Sequence, residues 1–372
     1  MRVHIVDPSA YTPPYDHALS SALAAAGAQV ELQTSHFAYG AVAPAENYTR
    51  RERFYPLASR IPRPRARQAL KLAEHVPNML AYRRAARSAD VVHFQWVTVP
   101  HLDGHLLPTG RPLLLTAHDV MPREPRTGQL KAQRALYEHF DAIVVHSQHG
   151  AQRLVEELGV GAERVHTIPH GAFAHMAAQP PGAALAPALP FHTDKPVALC
   201  FGLMRPYKGI DLLLEAWEGI SDAELWIVGR PRMDISALQA SAPPGVRVLA
   251  RFISEEELPS YFRRADLLVL PYREIDQSGV LFTGLAFNKP LLLSDVGGFP
   301  EVAATGAART FPAGDAVALH NELQALLADP AELAQMAERA RAAADGPYSW
   351  KSVAASTLAL YETLIANRAA RA

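Results

Sequence analysis

Residues 198–217 read ALCFGLMRPYKGIDLLLEAW, and the reading of this stretch decides the fold. An apolar run at 198–201 ends in Gly202, a short loop carries Arg205 and Lys208, and Gly209 precedes Leu212, Leu213, Ala216 and Trp217 at helical spacing. The pattern predicts a strand, a tight basic loop and a helix. Amides at a helix start and two cations suit a phosphate. Arg205 offers a planar fork, Lys208 a mobile point charge, and Gly209 removes the Cβ that would hold a ligand off the backbone. A solvated basic turn explains the same residues taken alone, so the rest of the chain has to decide.

Toward the C-terminus the pattern repeats. Predicted strands at 197–201, 225–228, 246–249, 267–270, 291–293 and 308–311 alternate with helical patterns, which implies a mostly parallel sheet covered on both faces. Ser254-Glu255-Glu256-Glu257 has the spacing of a capping box. The segment 271–280, PYREIDQSGV, leads from a strand end into a helix continuing to Phe287. Ser278 and Gly279 are expected to offer free amides there, a second anion point beside Arg205 and Lys208. Two such points on one set of strand ends suit a diphosphate. Helical patterns at 316–327, 331–343 and 352–366 close the chain, the last set off by Pro347-Tyr348-Ser349-Trp350.

Toward the N-terminus, a strand at 3–6, a loop, an alanine-rich helix at 18–26 closed by Gly27 and a strand at 30–32 open a Rossmann-like half. Pro13, Pro14, Tyr15 and Asp16 stand where a glycine-rich turn is usual. This stiff loop either contacts a hydroxylated ligand through Tyr15 and Asp16 or is a structural proline turn. Strands at 91–94, 113–116, 143–145 and 165–168 follow, with Ser147 capping the helix after the third. Thr116-Ala117-His118-Asp119 ends the second, where α/β sheets place ligand groups. His118 either exchanges hydrogen bonds with a substrate hydroxyl or serves structurally. The proline-rich segment 179–195 reads as a linker between domains 1–178 and 196–348.

With 372 residues, 49% hydrophobic and 20% charged, the chain can bury two ordinary cores. No apolar run reaches the roughly 18 residues that span a bilayer, and the N-terminal stretch reads as a core strand rather than a leader. The single Cys200 leaves no disulfide framework or thiolate cluster, so a cytoplasmic protein is expected. A net charge of −1 argues against nucleic acid as a partner. The outlier is the stretch from Arg50 to Arg87, where eleven basic residues meet only Glu52 and Glu74. Leu70, Leu72, Val76, Met79, Leu80 and Tyr82 are interleaved with the cations in its later part. That surface is expected to face anionic lipid or an anionic acceptor, or else to be a solvated arginine-rich face.

These motifs resemble the retaining glycosyltransferases of family 4 over nearly the whole chain. The parts that carry the resemblance are GLMRPYKGIDLLLEAW, LWIVGR, the segment 265–302 and the final YSW helix. It implies a GT-B fold, an α/β architecture of two Rossmann-like domains facing across a cleft, with 349–372 crossing back to the N-terminal domain. The implied activity moves a hexosyl unit from a nucleotide diphosphate sugar to an acceptor hydroxyl with retention, in glycan, glycolipid or secondary-metabolite biosynthesis, with no metal or other cofactor. Arg205 and Lys208, flanked by Gly202 and Gly209, match residues that neutralise the departing diphosphate. Arg230, Phe252 and Ile253 lie where the base is received, and His118 matches a histidine that contacts the donor sugar. Tyr15, Asp16 and Asp119 fall on the acceptor side. Where the family commonly has two glutamates, this chain has Ile275 and Thr283. Glu274 and Asp276 flank the first position, Thr283 offers one hydroxyl to a ribose, and Gln277-Ser278-Gly279-Val280 resembles a variant whose backbone amides hold the phosphates. His170 stands where an asparagine is usual. A lipid-linked or anionic acceptor and peripheral contact with an anionic membrane are expected. Two alternatives remain: a non-hydrolysing sugar-nucleotide epimerase of similar fold, and a non-catalytic nucleotide-sugar-binding protein.

Overall fold

The structure, a computed structural model, describes residues 1–38, 40–121, 128–178 and 193–371. They form two compact units, Met1–Pro169 with Trp350–Ala372, and His170–Ser349. The first is built on strands β1 (Arg2–Asp7), β2 (Gln29–Ser35), β3 (Thr49–Phe54), β4 (Val91–Phe94), β5 (Leu113–Thr116), β6 (Ala142–Val145) and β7 (Val165–Thr167). They pair in the order β3-β2-β1-β4-β5-β6-β7. The second holds β8 (Val197–Phe201), β9 (Glu224–Val228), β10 (Val246–Leu249), β11 (Leu267–Leu270), β12 (Leu291–Ser294) and β13 (Ala308–Phe311), in the order β10-β9-β8-β11-β12-β13. Every pairing is parallel. In each sheet the strand order reverses beside the first strand, at β1/β4 and at β8/β11, where such sheets gather ligands. Central strands are apolar on both faces because helices cover both; Leu267, Leu268, Val269 and Leu270 are all fully buried.

The sequence signals for caps are realised. Ser147 accepts from the Gly150 amide at 3.0 Å, and Ser254 and Glu257 exchange reciprocal bonds of 3.3 and 3.2 Å. Three expectations change. The helix expected from 18 begins at Pro13, since Pro13–Ala25 is helical with prolines in the first turn, where a missing N–H costs nothing. The basic stretch contains an unforeseen strand, β3, whose Arg51 and Arg53 are exposed, whose Arg50 is half-buried and whose Phe54 alone is buried, as suits a charged sheet edge. Its later part is one helix, Pro64–Ala85, running through Pro77. The first unit ends at Pro169 rather than 178, because the chain beyond it is tied into the second. The Ala172 amide donates to the Tyr348 carbonyl at 2.7 Å, and the His170 ring stacks on Phe282 at 4.4 Å. Most of the expected linker, 179–192, lies outside the described residues.

The last helix, Trp350–Arg371, covers the first sheet. Trp350 packs edge-on against Tyr15 at 5.1 Å, and the Tyr361 hydroxyl stands 2.7 Å from His93 Nδ1 on β4.

Candidate functional site

In the second unit, the ends of β8 and β11 bring the basic loop together with the segment 271–280. Pro206–Lys208 is one 3-10 turn, followed by the short helix Ile210–Ala216. Lys208 is fixed rather than mobile: it is 6% exposed, and its Nζ donates to the Tyr272 hydroxyl at 2.7 Å. Gly202, at φ +109°, leaves room for it. A Cβ there would stand 3.0 Å from Lys208 Nζ and 3.2 Å from Val280 Cγ2, so ammonium, strand end and the first turn of the Gly279–Ala286 helix are neighbours. Gly209 is required by the chain itself, because at φ +64° its Cβ would collide with the Pro271 carbonyl oxygen. Arg205 is exposed and forms no ion pair or hydrogen bond through its side chain among the described residues.

Arg273, which the sequence reading passed over, locks this turn. Its guanidinium pairs with both Asp211 oxygens at 2.8 and 2.7 Å and reaches the Pro206 carbonyl at 2.9 Å, while its amide donates to the Tyr207 carbonyl at 2.7 Å. At the Gly279–Ala286 helix the Ser278 amide is taken by Gln277 Oε1 at 3.1 Å. The open amides are therefore those of Gly279 and Val280, which have no acceptor among the described residues. The Thr283 hydroxyl donates to the Gly279 carbonyl at 2.9 Å, and the residue is 5% exposed. Ile275 and Asp276 are buried and Glu274 is exposed. Phe252 is exposed, Ile253 buried, and Arg230 half-buried with its carbonyl accepting from the Met204 amide at 3.0 Å. A fixed ammonium, a free guanidinium and two unpaired amides can together neutralise a diphosphate.

In the first unit, His118 follows β5. Its Nδ1 lies 3.2 Å from His146 Nε2 and its Nε2 lies 3.3 Å from the Gln95 side chain, while His146 Nδ1 is 3.0 Å from the Ile168 carbonyl. Burial pushes the His146 pKa down to about 4, so its ring is neutral near pH 7. The Ile168 carbonyl can only accept, which puts the proton on His146 Nδ1 and makes Nε2 accept from His118 Nδ1–H. His118 Nε2 is then an acceptor, satisfied when Gln95 presents its amide NH2, a group with no other partner. Trp96 stacks on the His118 ring at 5.1 Å and Tyr15 meets it edge-on at 4.6 Å. Tyr15 and Asp16, expected on the acceptor side, are 4% and 1% exposed. Burial, reinforced by the charge of Asp7, holds the Asp16 carboxyl well above the usual carboxylate range. Asp119 is exposed. Gln95, Trp96 and His146 each follow a strand end, the signal that singled out His118, and that rule applied evenly finds them.

Two parallel sheets with this strand order and this site define a GT-B protein. Sucrose-phosphate synthase from Thermosynechococcus elongatus shares the fold, with a TM-score of 0.77 at 22% identity over 99% of this chain and 100% of that one. Residues 15–172 match Glycosyltransferase Family 4, and residues 195–329 match Glycosyl transferases group 1. The chain belongs to the glycosyltransferases of the family 4 type. A D-inositol 3-phosphate glycosyltransferase of Xylanimonas cellulosilytica is 27% identical over 263 residues, 67% of this chain and 63% of that protein. A GDP-mannose:glycolipid 4-beta-D-mannosyltransferase of Xanthomonas campestris pv. campestris is 27% identical over 190 residues, half of each chain. This chain thus spans 63% and 50% of the length of these two relatives.

Proposed function

We propose that this chain transfers a hexosyl unit from a nucleotide diphosphate sugar to an acceptor hydroxyl, with retention at the anomeric carbon and without a metal. The observation that carries the reading is Lys208 Nζ beside Gly202 and Val280, next to the open amides of Gly279 and Val280. As the bond from the anomeric carbon to phosphate breaks, an oxocarbenium-like sugar parts from an anionic diphosphate, and stabilising that departing charge is the main task. Lys208 and the amides do this from fixed positions, and Arg205 adds a charge that can follow the ligand.

Ile275 and Thr283 provide no carboxylate nucleophile, and this supports same-face attack over double displacement. The acceptor oxygen bonds to the anomeric carbon and its proton passes to the departing phosphate. His118 serves a sugar hydroxyl, its 3.3 Å contact with Gln95 being long enough to yield. Relatives named for GDP-mannose and for D-inositol 3-phosphate support a sugar-nucleotide donor and a polyol or glycolipid acceptor.

A thermal-shift screen of GDP-, UDP- and dTDP-sugars identifies the donor, since a ligand of the native state raises the melting temperature. Arg205→Ala and Lys208→Ala should then each lower turnover on the order of 100-fold, as loss of one charge-stabilising donor does. Wild-type rates in both would remove the proposal. Unchanged turnover in a chelator is expected, and the anomeric configuration of the product tests retention. Donor isomerisation without an acceptor would favour the epimerase, and donor binding with no turnover the binding protein.

Membrane contact has one observation of its own. Leu72, Val76 and Leu80, spaced four residues apart on the Pro64–Ala85 helix, are 60%, 38% and 43% exposed among arginines. No helix of the described residues is long and apolar enough to cross a membrane. Co-sedimentation with phosphatidylglycerol vesicles should fall as salt rises and should be lost in Leu72→Glu with Val76→Glu. Sedimentation untouched by both changes would refute it.

A further inference from the structure

We infer that Lys71, Ser9 and Thr98 of the first unit hold the phosphate monoester of a phosphorylated polyol. The inference leans on the proposed function only in calling that polyol the acceptor.

Lys71 sits half-buried on the Pro64–Ala85 helix with its Nζ 5.2 Å from the centre of the Tyr11 ring and 4.8 Å from that of Tyr55. Among the described residues no carboxylate or carbonyl reaches it within hydrogen-bonding distance. Aromatic faces attract a cation but do not neutralise it, and while Asp7 attracts it without a hydrogen bond, Arg67 one turn earlier repels it. The ammonium has no hydrogen-bonded anion among the described residues.

Beside it runs a chain of hydroxyls. The Tyr55 hydroxyl lies 3.3 Å from Thr98 Oγ1, and Thr98 Oγ1 lies 2.9 Å from Ser9 Oγ. With the Tyr55 proton given to His75 Nδ1, Thr98 can donate to Ser9, which leaves the Ser9 O–H for a ligand oxygen. Its inner end is anchored: the Tyr55 oxygen is 2.8 Å from His75 Nδ1, and His75 Nε2 is 2.6 Å from Asp103 Oδ1, both side chains 1% exposed. The other Asp103 oxygen accepts from the Thr98 and Val99 amides at 2.9 and 2.7 Å, so Thr98 is held by main chain and side chain together.

The walls are preorganised at a conformational cost. Ala10 at φ +49° and Tyr55 at φ +53° both occupy the left-handed region that favours glycine. Asp7 secures the first by accepting from the Ser9, Tyr11 and Thr12 amides, and Asn78 Oδ1 secures the second at 2.6 Å from the Tyr55 amide. Such conformations persist where the surroundings over-determine them, most often at ligand sites. Tyr11, 53% exposed and edge-on to Trp96 at 5.4 Å, adds an apolar face for the C–H side of a polyol.

Titration of the full chain with methyl phosphate and glycerol 3-phosphate, followed by 31P NMR or calorimetry, tests this. Saturable binding is expected in the wild type, weakened on the order of tenfold or more in Lys71→Met, partly restored in Lys71→Arg, and weakened less in Ser9→Ala. Vesicles carrying phosphatidic acid form the second arm. Binding of the soluble esters assigns a free phosphorylated polyol, and binding confined to the vesicles assigns a lipid headgroup. No saturable binding of any probe to the wild type, or equal binding in Lys71→Met, overturns the inference. The two readings fail separately: the melting shift given by a sugar nucleotide should be unchanged in Lys71→Met, and its absence from the wild type would strike the transferase reading while leaving the phosphate titration intact.

Discussion

A salt bridge between half-exposed side chains contributes little to stability, and the Arg273–Asp211 pair is of that kind, with side chains 44% and 55% exposed. Its value lies in position, because the same guanidinium holds the Pro206 carbonyl and so the turn that carries Arg205 and Lys208. Arg273→Ala should therefore leave the melting temperature nearly unchanged, within about 1 kcal/mol of wild-type stability. It should still lower kcat/KM for the donor by about tenfold or more, since small displacements of charge-bearing groups are costly. A matched fall in stability and activity would contradict that division. Gly202→Ala acts at the same place by another route. Its φ of +109° and the Lys208 ammonium 3.0 Å from the new Cβ predict lost donor affinity, measurable by calorimetry with a nucleoside diphosphate.

At the scale of elements, the Pro64–Ala85 helix carries Pro77 in its interior, which forfeits one backbone bond and costs about 3 kcal/mol in an unstrained helix. Pro77→Ala should raise the melting temperature of the first unit, as read by circular dichroism; a fall would mean that a bend at Pro77 is needed where Asn78 reaches the Tyr55 amide. Strands and caps were legible in the sequence wherever burial is two-sided or the capping residue is adjacent. β5, β8 and β11 carry apolar runs, and their bounds follow from them. β3 was not legible, because a charged edge strand presents TRRERF, which has neither alternation nor an apolar run. The start of the Pro13–Ala25 helix was hidden for another reason, two prolines reading equally as a turn and as a first helical turn. At the candidate site, Arg205, Lys208 and Gly202 could be found from strand-turn-helix grammar. The Tyr272 hydroxyl on Lys208 and the Gln95–His118–His146 contacts could not, since they join strands far apart in sequence.

Over the whole molecule, the first unit keeps uncharged histidines inside it. Burial lowers the His93 pKa to about 3 and that of His146 to about 4, against about 6.5 for an unfolded histidine. Between those values the unfolded chain binds protons that the folded chain refuses, so stability falls as pH drops from about 6.5 toward 4. Asp16 acts oppositely, its raised pKa giving stability at low pH that is lost as pH rises through the folded value. The melting temperature of the first unit should decline below about pH 6.5, and His93→Gln should flatten that decline even where it lowers the plateau. Differential scanning calorimetry across this range reads both. Tyr361→Phe leaves the buried His93 Nδ1 without its 2.7 Å partner and should cost about 1–3 kcal/mol, confined to the first unit's transition.

The sheet cover supplied by Trp350–Arg371 also sets an order of events during synthesis. A ribosome delivers all seven strands of the first sheet long before the helix that shields His93 and Tyr15, whereas His170–Ser349 emerges as one uninterrupted piece. The second unit is thus free to mature on the nascent chain while its predecessor waits with an uncovered face, a window in which chaperone capture and proteolysis should concentrate on residues 1–169.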